Sequence, residues 1–198
     1  MAEQIKYLTV EQTERLLKQI TNPRDRAIFT VAYWRGLRAS EVCKILVPEH
    51  WDNQSKRLYV TRVKGGNSAQ YLVCDQEARA IRSWLRDRGD WEGPLFCSER
   101  RKGISRQQLH TLMEHYATEA ELPEDLRHMH VLRHSIAMHL TADRRTLQEV
   151  ADWLGHRNLN STMVYAKLSN PARDDMALGF YESRNPVVPK VVFSRRKR

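Results

Sequence analysis

Apolar positions recur at helical spacing along most of the chain and alternate in one region only. "TVEQTERLLKQI" opens on Thr9, carries Gln12 three positions later and sets Leu16, Leu17 and Ile20 on one face, which predicts a capped first helix. "NPRDRAIFTVAYWRG" begins with Asn22 as N-cap and Pro23 at the first helical position. It runs apolar through Ala27, Ile28, Val31 and Ala32 and stops at Gly36. "SEVCKIL" predicts a short third helix. The period then changes: "RLYVTRV" and "AQYLVC" alternate around "KGGNS", predicting a β-hairpin with Gly65 and Gly66 in its turn. "DQEARAIRSWLRDRG" returns to helical spacing through Ala78, Ile81, Trp84 and Leu85, and "GPLFCS" offers a short extra strand. From Ser105 onward four helices are expected, over "SRQQLHTLMEHYATEAEL", "HVLRHSIAMHLTAD", "TLQEVADWLG" and "NSTMVYAKL", with "PARDDMALGFYE" as a candidate fifth. The fold class is therefore mainly α with a small antiparallel β-sheet (α+β).

A length of 198 residues suits one compact unit. Lys and Arg number 33 against 24 Asp and Glu, giving a formal charge of +9 and favouring an anionic partner such as nucleic acid. Part of that excess sits in "SRRKR", Ser194 to Arg198, which follows "NPVVPKVVF" and reads as a basic tail; the body stays positive without it. Cys43, Cys74 and Cys97 are widely spaced with no CxxC pair, which argues against a disulfide framework and a cysteine zinc site and for a reducing, intracellular setting. No apolar run approaches the length of a membrane span, and the start "MAEQIKYLTVEQ" lacks the features of a signal peptide, so a cytoplasmic protein with no membrane partner is expected.

Taken one at a time, the chemically interesting residues have plain explanations. Arg38 in "RGLRASE" reads as a solvated side chain or a partner for Glu41, and Lys64 as surface charge on a turn. His128, His130 and His134 lie within seven residues, and His130 and His134 share a helical face, as paired zinc ligands do. No HExxH glutamate, nearby cysteine or carboxylate completes a ligand set, so zinc is disfavoured. His130 and Arg133 also share a face, aiming an imidazole and a guanidinium at one small target, for which a phosphate is a natural fit. "QEVADWLGHRNLNSTMVYAKL" scans as helix, glycine turn, helix. Alone it would read as a helix-turn-helix regulator with Tyr165 late in the recognition helix.

The ordered set changes this. "GLRASE", a lysine hairpin, "HxxRH", "LGH" and a tyrosine nine residues after the last histidine together resemble the tyrosine recombinase or phage integrase family, from about Leu8 to Leu168. "GLRASEV", "ISRQQL", "VLRHS" and "DWLGHRN" are especially similar to the short inversion recombinases that flip fimbrial promoters. The resemblance implies a catalytic domain over residues 1–182 and a basic tail over 183–198, with no separate DNA-clamping domain ahead of the helix that starts at Thr9. It assigns the arginine pair to Arg38 and Arg133, the lysine to Lys64, the two histidines to His130 and His156, and the nucleophile to Tyr165.

The implied roles follow the chemistry of phosphodiester attack. Two guanidiniums and the histidines stabilise charge on the nonbridging oxygens. Tyr165, a phenol with an ordinary pKa of about 10, passes its proton toward His130 as base, while His156 donates to the phosphate. Lys64 protonates the departing 5′ hydroxyl, and a 3′-phosphotyrosyl bond stores the linkage. The resemblance implies no ATP or divalent-ion cofactor, double-stranded recombination sites as partner, self-assembly to a tetramer on DNA and help from DNA-bending accessory proteins. Arg106, Gln107 and Arg157 are candidate DNA contacts. A regulator without catalysis and a type IB-like topoisomerase are the rival readings. The segment "PARDDMALGFYE" is a candidate for docking on a neighbouring subunit.

Overall fold

The computed structural model describes residues 5–63 and 65–166; Lys64, the candidate fifth helix and the basic tail lie outside the described residues. Eight α-helices are described: α1 (Val10–Gln19), α2 (Pro23–Trp34), α3 (Ala39–Val42), α4 (Asp75–Arg88), α5 (Arg106–Glu119), α6 (His130–Ala142), α7 (Leu147–Leu154) and α8 (Met163–Ala166). Five short strands lie between α3 and α5: β1 (Leu46–Val47), β2 (Trp51–Asp52), β3 (Arg57–Val60), β4 (Ala69–Leu72) and β5 (Gly93–Pro94).

Reciprocal caps start the helices where the residue types allow. Gln12 N–H donates to Thr9 Oγ1 at 3.2 Å while Thr9 N–H donates to Gln12 Oε1 at 2.9 Å, and Ser105 with Gln108 and Thr146 with Glu149 repeat the arrangement. Asn22 caps α2, with Pro23 spending no hydrogen bond at its first position. α2 is buried almost all round through Ala27, Ile28, Phe29, Val31 and Ala32, and packs against α4 and α6. It is the central rod, and its C-terminal end is delivered to the site.

The hairpin forms as the alternation predicts, with β3 and β4 antiparallel and Leu58 opposite Tyr71. A third strand, β2, joins its other edge with Trp51 opposite Leu58. The strand expected in "GPLFCS" is β5, pairing not with this sheet but with β1. The helix expected over "NSTMVYAKL" is interrupted: a 3₁₀ turn at Leu159–Ser161 precedes α8, and the Asn158 side chain accepts from Asn160 N–H at 2.9 Å. Asn and Ser compete locally for backbone partners and delay the helix. A long recognition helix is therefore not built through 158–166, and Tyr165 rides on the short α8. Among the described residues no helix is long and apolar enough to cross a membrane.

Candidate active site

Two glycines make the site's frame. Gly36, just past α2, has φ +55°, and a Cβ there would lie 2.6 Å from Leu154 Cδ2. Gly155, closing α7, has φ +67°, and a Cβ there would lie 2.7 Å from Arg62 Cγ and from the Asn67 carbonyl. Both demand a residue without a side chain and a left-handed backbone. The turns match in sequence, Trp34-Arg35-Gly36-Leu37-Arg38 and Trp153-Leu154-Gly155-His156-Arg157. They are tied together where Trp153 Nε1 donates to the Trp34 carbonyl at 2.8 Å.

Arg133, from the first turns of α6, reaches between these turns. It is 1% exposed; Nη1 donates to the Gly36 carbonyl and Nη2 to the Leu154 carbonyl at 3.0 Å. Both acceptors sit at helix C-terminal ends, where unsatisfied carbonyls carry partial negative charge suited to a cation. Desolvation, followed by the charges of Arg38 and Arg62, pushes the Arg133 pKa down to about 10, so it remains a cation at neutral pH.

Arg38 stands at the N-cap of α3 and donates from Nη1 to Glu41 Oε1 at 2.9 Å, while its backbone N–H donates to Glu41 Oε2 at 2.9 Å. Its side chain keeps 27% of its surface exposed. Glu41 is buried and also accepts from Arg62 Nη1 at 3.0 Å and from Val63 N–H at 3.2 Å. Burial alone would raise the Glu41 pKa. The Arg38 hydrogen bond and the Arg62 charge outweigh it, and the carboxyl stays below its ordinary range. Arg62 itself is buried, donating further to the Arg35 carbonyl at 2.9 Å and the Trp153 carbonyl at 2.8 Å.

Tyr165 is 3% exposed, and its hydroxyl oxygen lies 2.9 Å from Nδ1 of His134, not against His130 as the family resemblance implied. His130 instead meets the His134 ring edge-on, centroids 4.5 Å apart. Burial raises the Tyr165 pKa, opposed by the positive charge of Arg133 and then Arg38. His156 is held by Thr162, with Nδ1 2.8 Å from Oγ1. Desolvation and then the charges of Arg133, Arg38 and Arg62 push His156 down to about 4, so its imidazole is neutral at neutral pH. His130 is the most exposed of the group. Its pKa is also pushed to about 4, by desolvation and then by His134, Arg133 and Arg38.

Arg38, His130, Arg133, His156 and Tyr165 are thus brought together from α3, α6, the turn after α7, and α8. Lys64 lies outside the described residues, but the chain on either side of it is fixed at Val63, to Glu41, and at Asn67, whose N–H donates to the Gly155 carbonyl at 3.1 Å. Arg106 and Gln107 open α5 and are exposed, as is Arg157 beside the hairpin turn at Gly65. Residue-by-residue reading passed over Arg62 and Thr162, took Glu41 only as a possible partner of Arg38, and weighed His134 only as a metal ligand. The "RASE" spacing was the one available signal for Glu41; Arg62 acts across 21 residues of sequence and leaves none. Among the described residues no group of three or more His, Cys, Asp or Glu is placed so that it could hold a metal ion.

A helical domain that gathers two guanidiniums, neutral imidazoles and a buried phenol into one site has the parts of an enzyme of phosphodiester transfer. Residues 6–171 match the family described as "Phage integrase family". The chain belongs to that family and is a tyrosine site-specific recombinase, an enzyme that breaks and rejoins DNA strands. It is 30% identical over 198 residues to the type 1 fimbriae regulatory protein FimE of Escherichia coli K12, covering 94% of this chain and 96% of that one. The crystal structure of XerA recombinase superposes with a TM-score of 0.77 at 22% identity, covering 96% of this chain and 68% of that one. XerH site-specific recombinase bound to its difH substrate gives a TM-score of 0.75 at 21% identity, covering 88% and 54% respectively.

Proposed function

We propose that the chain cleaves one strand of a double-stranded recombination site by attack of Tyr165 on the scissile phosphate, forming a 3′-phosphotyrosyl bond, and rejoins it to a new partner strand. The observation that carries this reading is the convergence of side chains: Arg133 reaches the turn at Gly36 beside Arg38, and the next residue on α6, His134, has Nδ1 2.9 Å from the Tyr165 hydroxyl. Charge growing on the nonbridging oxygens is met by those two guanidiniums, already fixed and partly desolvated, so little reorganisation is needed at the moment of attack. His130 and His156 add hydrogen bonds to the same phosphate. Lys64, on the hairpin turn, delivers the proton to the departing 5′ oxygen, which is a poor leaving group without one.

The wording shared with the fimbrial proteins and the 30% identity to FimE over 96% of its length favour inversion of a DNA segment over integration or excision. Assembly is proposed as a tetramer on paired sites, aided by DNA-bending proteins and held by phosphate contacts from Arg106, Gln107, Arg157 and the basic tail. The setting proposed is the cytoplasm.

The test begins by mapping genomic junctions that change when the chain is expressed, then placing that site in a nicked suicide duplex. In EDTA the wild-type chain becomes covalently joined to DNA, and Tyr165→Phe does not; an adduct with Tyr165→Phe removes the nucleophile assignment. Lys64→Ala is expected to cleave slowly, by about 10²-fold or more, and to recover when sulfur replaces the leaving oxygen. Failure to recover removes the general-acid role.

A further inference from the structure

Deprotonating Tyr165 is the step least served by the expected catalytic set. The phenol is 3% exposed, and burial raises its pKa. His130 makes no hydrogen bond to it among the described residues; the oxygen instead lies 2.9 Å from His134 Nδ1. The three rings form a row, His130 to His134 at 4.5 Å between centroids and His134 to Tyr165 at 5.9 Å. His134 therefore stands between the exposed His130 and the buried phenol.

We propose that His134 is the catalytic residue that takes the Tyr165 proton, through Nδ1, a role that rests on Tyr165 being the nucleophile. In the forward step the Tyr165 O–H bond breaks and its proton passes to His134 Nδ1. The phenolic oxygen bonds to phosphorus, the bond from phosphorus to the 5′ oxygen breaks, and that oxygen takes a proton from the general acid. In rejoining, a 5′ hydroxyl attacks, the tyrosine oxygen leaves, and His134 returns the proton. No oxidant, reductant or further reactant is needed.

Three features fit this assignment. The contact distance is that of a hydrogen bond, within reach for proton transfer. His134 is the next residue after Arg133 on α6, so the proton acceptor and one arm of the phosphate clamp are fixed by one rigid element. Burial and the charges of His128 and Arg133 hold the His134 pKa below its ordinary value, so at neutral pH the ring is unprotonated and Nδ1 can accept.

The competing explanation is that His134 only seats the tyrosine. His134→Asn separates the two, because an amide oxygen can stand where Nδ1 stood and accept the hydrogen bond but cannot carry a proton away. With the full chain and the nicked suicide duplex, single-turnover adduct formation by His134→Asn is expected to slow by about 10²-fold to 10³-fold, with unchanged DNA affinity and melting temperature. Placing a fluorinated, more acidic tyrosine at position 165 is expected to restore most of that loss, which a seating role would not allow. His134→Ala serves as a second variant, with the same recovery expected. Cleavage by His134→Asn at the wild-type rate, or no recovery with the acidic tyrosine, overturns the proposal while leaving Tyr165 in place. An adduct surviving in Tyr165→Phe overturns the nucleophile reading itself, and His134 with it.

Discussion

Arg133 and Arg38 bring the same guanidinium to the same cleft and are held in opposite ways. Arg133 is 1% exposed and rests on neutral carbonyls, those of Gly36 and Leu154, each at the end of a helix. Arg38 keeps more than a quarter of its side-chain surface in water and leans on a carboxylate, Glu41. A carboxylate seat neutralises much of a cation's field, whereas carbonyl seats at helix ends, with only partial negative charge, orient it while offsetting less of that field. Glu41 avoids cancelling Arg38 entirely because it is shared with buried Arg62. The difference is a division of labour: Arg133 supplies a buried positive field, and Arg38 a partly exposed one held in place by Glu41.

The largest expected effect comes from replacing each arginine by lysine. Arg133→Lys keeps the charge but cannot satisfy two carbonyls in a fork. It should slow adduct formation by about 10³-fold and lower stability by about 1–3 kcal/mol through an unpaired buried carbonyl. Arg38→Lys should slow cleavage by about 10²-fold with a stability change under about 1 kcal/mol. Equal stability losses in urea unfolding would abolish the contrast between the seats.

Next in size is Gly155→Ala, which strains the turn beside the Arg133 seat. The backbone at φ +67° and the approach of Arg62 and Asn67 leave no room for a methyl group. About 1–3 kcal/mol should be lost from backbone strain alone, and the cleavage rate should fall because the Leu154 carbonyl shifts. A urea midpoint unchanged from wild type would show that the turn is not under this constraint.

The last expected effect is on stability against pH. His156 has a folded pKa of about 4 against an ordinary 6.5, and His130 is shifted in the same direction. The unfolded chain binds protons as pH falls through about 6.5 while the folded imidazoles stay neutral until about 4. Stability is therefore full above about 6.5 and declines as pH falls toward about 4. Thermal melts across this range should show the decline, and His156→Asn should flatten it; an identical slope in the variant would mean that burial and the neighbouring charges do not depress this histidine.

Much of the fold was legible along the chain because its signals are local. Caps at Thr9, Asn22, Ser105 and Thr146 and the glycine stops at Gly36 and Gly155 depend on residues within a turn of one another. The β3–β4 hairpin announced itself by alternation. The third strand β2 did not, since two residues, Trp51 and Asp52, are too few to show a period. The break before α8 was hidden because Asn158 and Ser161 tolerate a helix and a turn alike.

The primary structure by itself determined which residue types were present and in what order: two arginines, two histidines, a hairpin lysine and a late tyrosine, with the helices to carry them. Only the tertiary structure decided which histidine meets the phenol, that Glu41 is shared between Arg38 and Arg62, and that two glycine turns 119 residues apart close on Arg133. The reason is range. Capping and periodicity act over a few residues, whereas a buried cation must find acceptors wherever packing leaves a carbonyl, and no local pattern in the chain records that meeting.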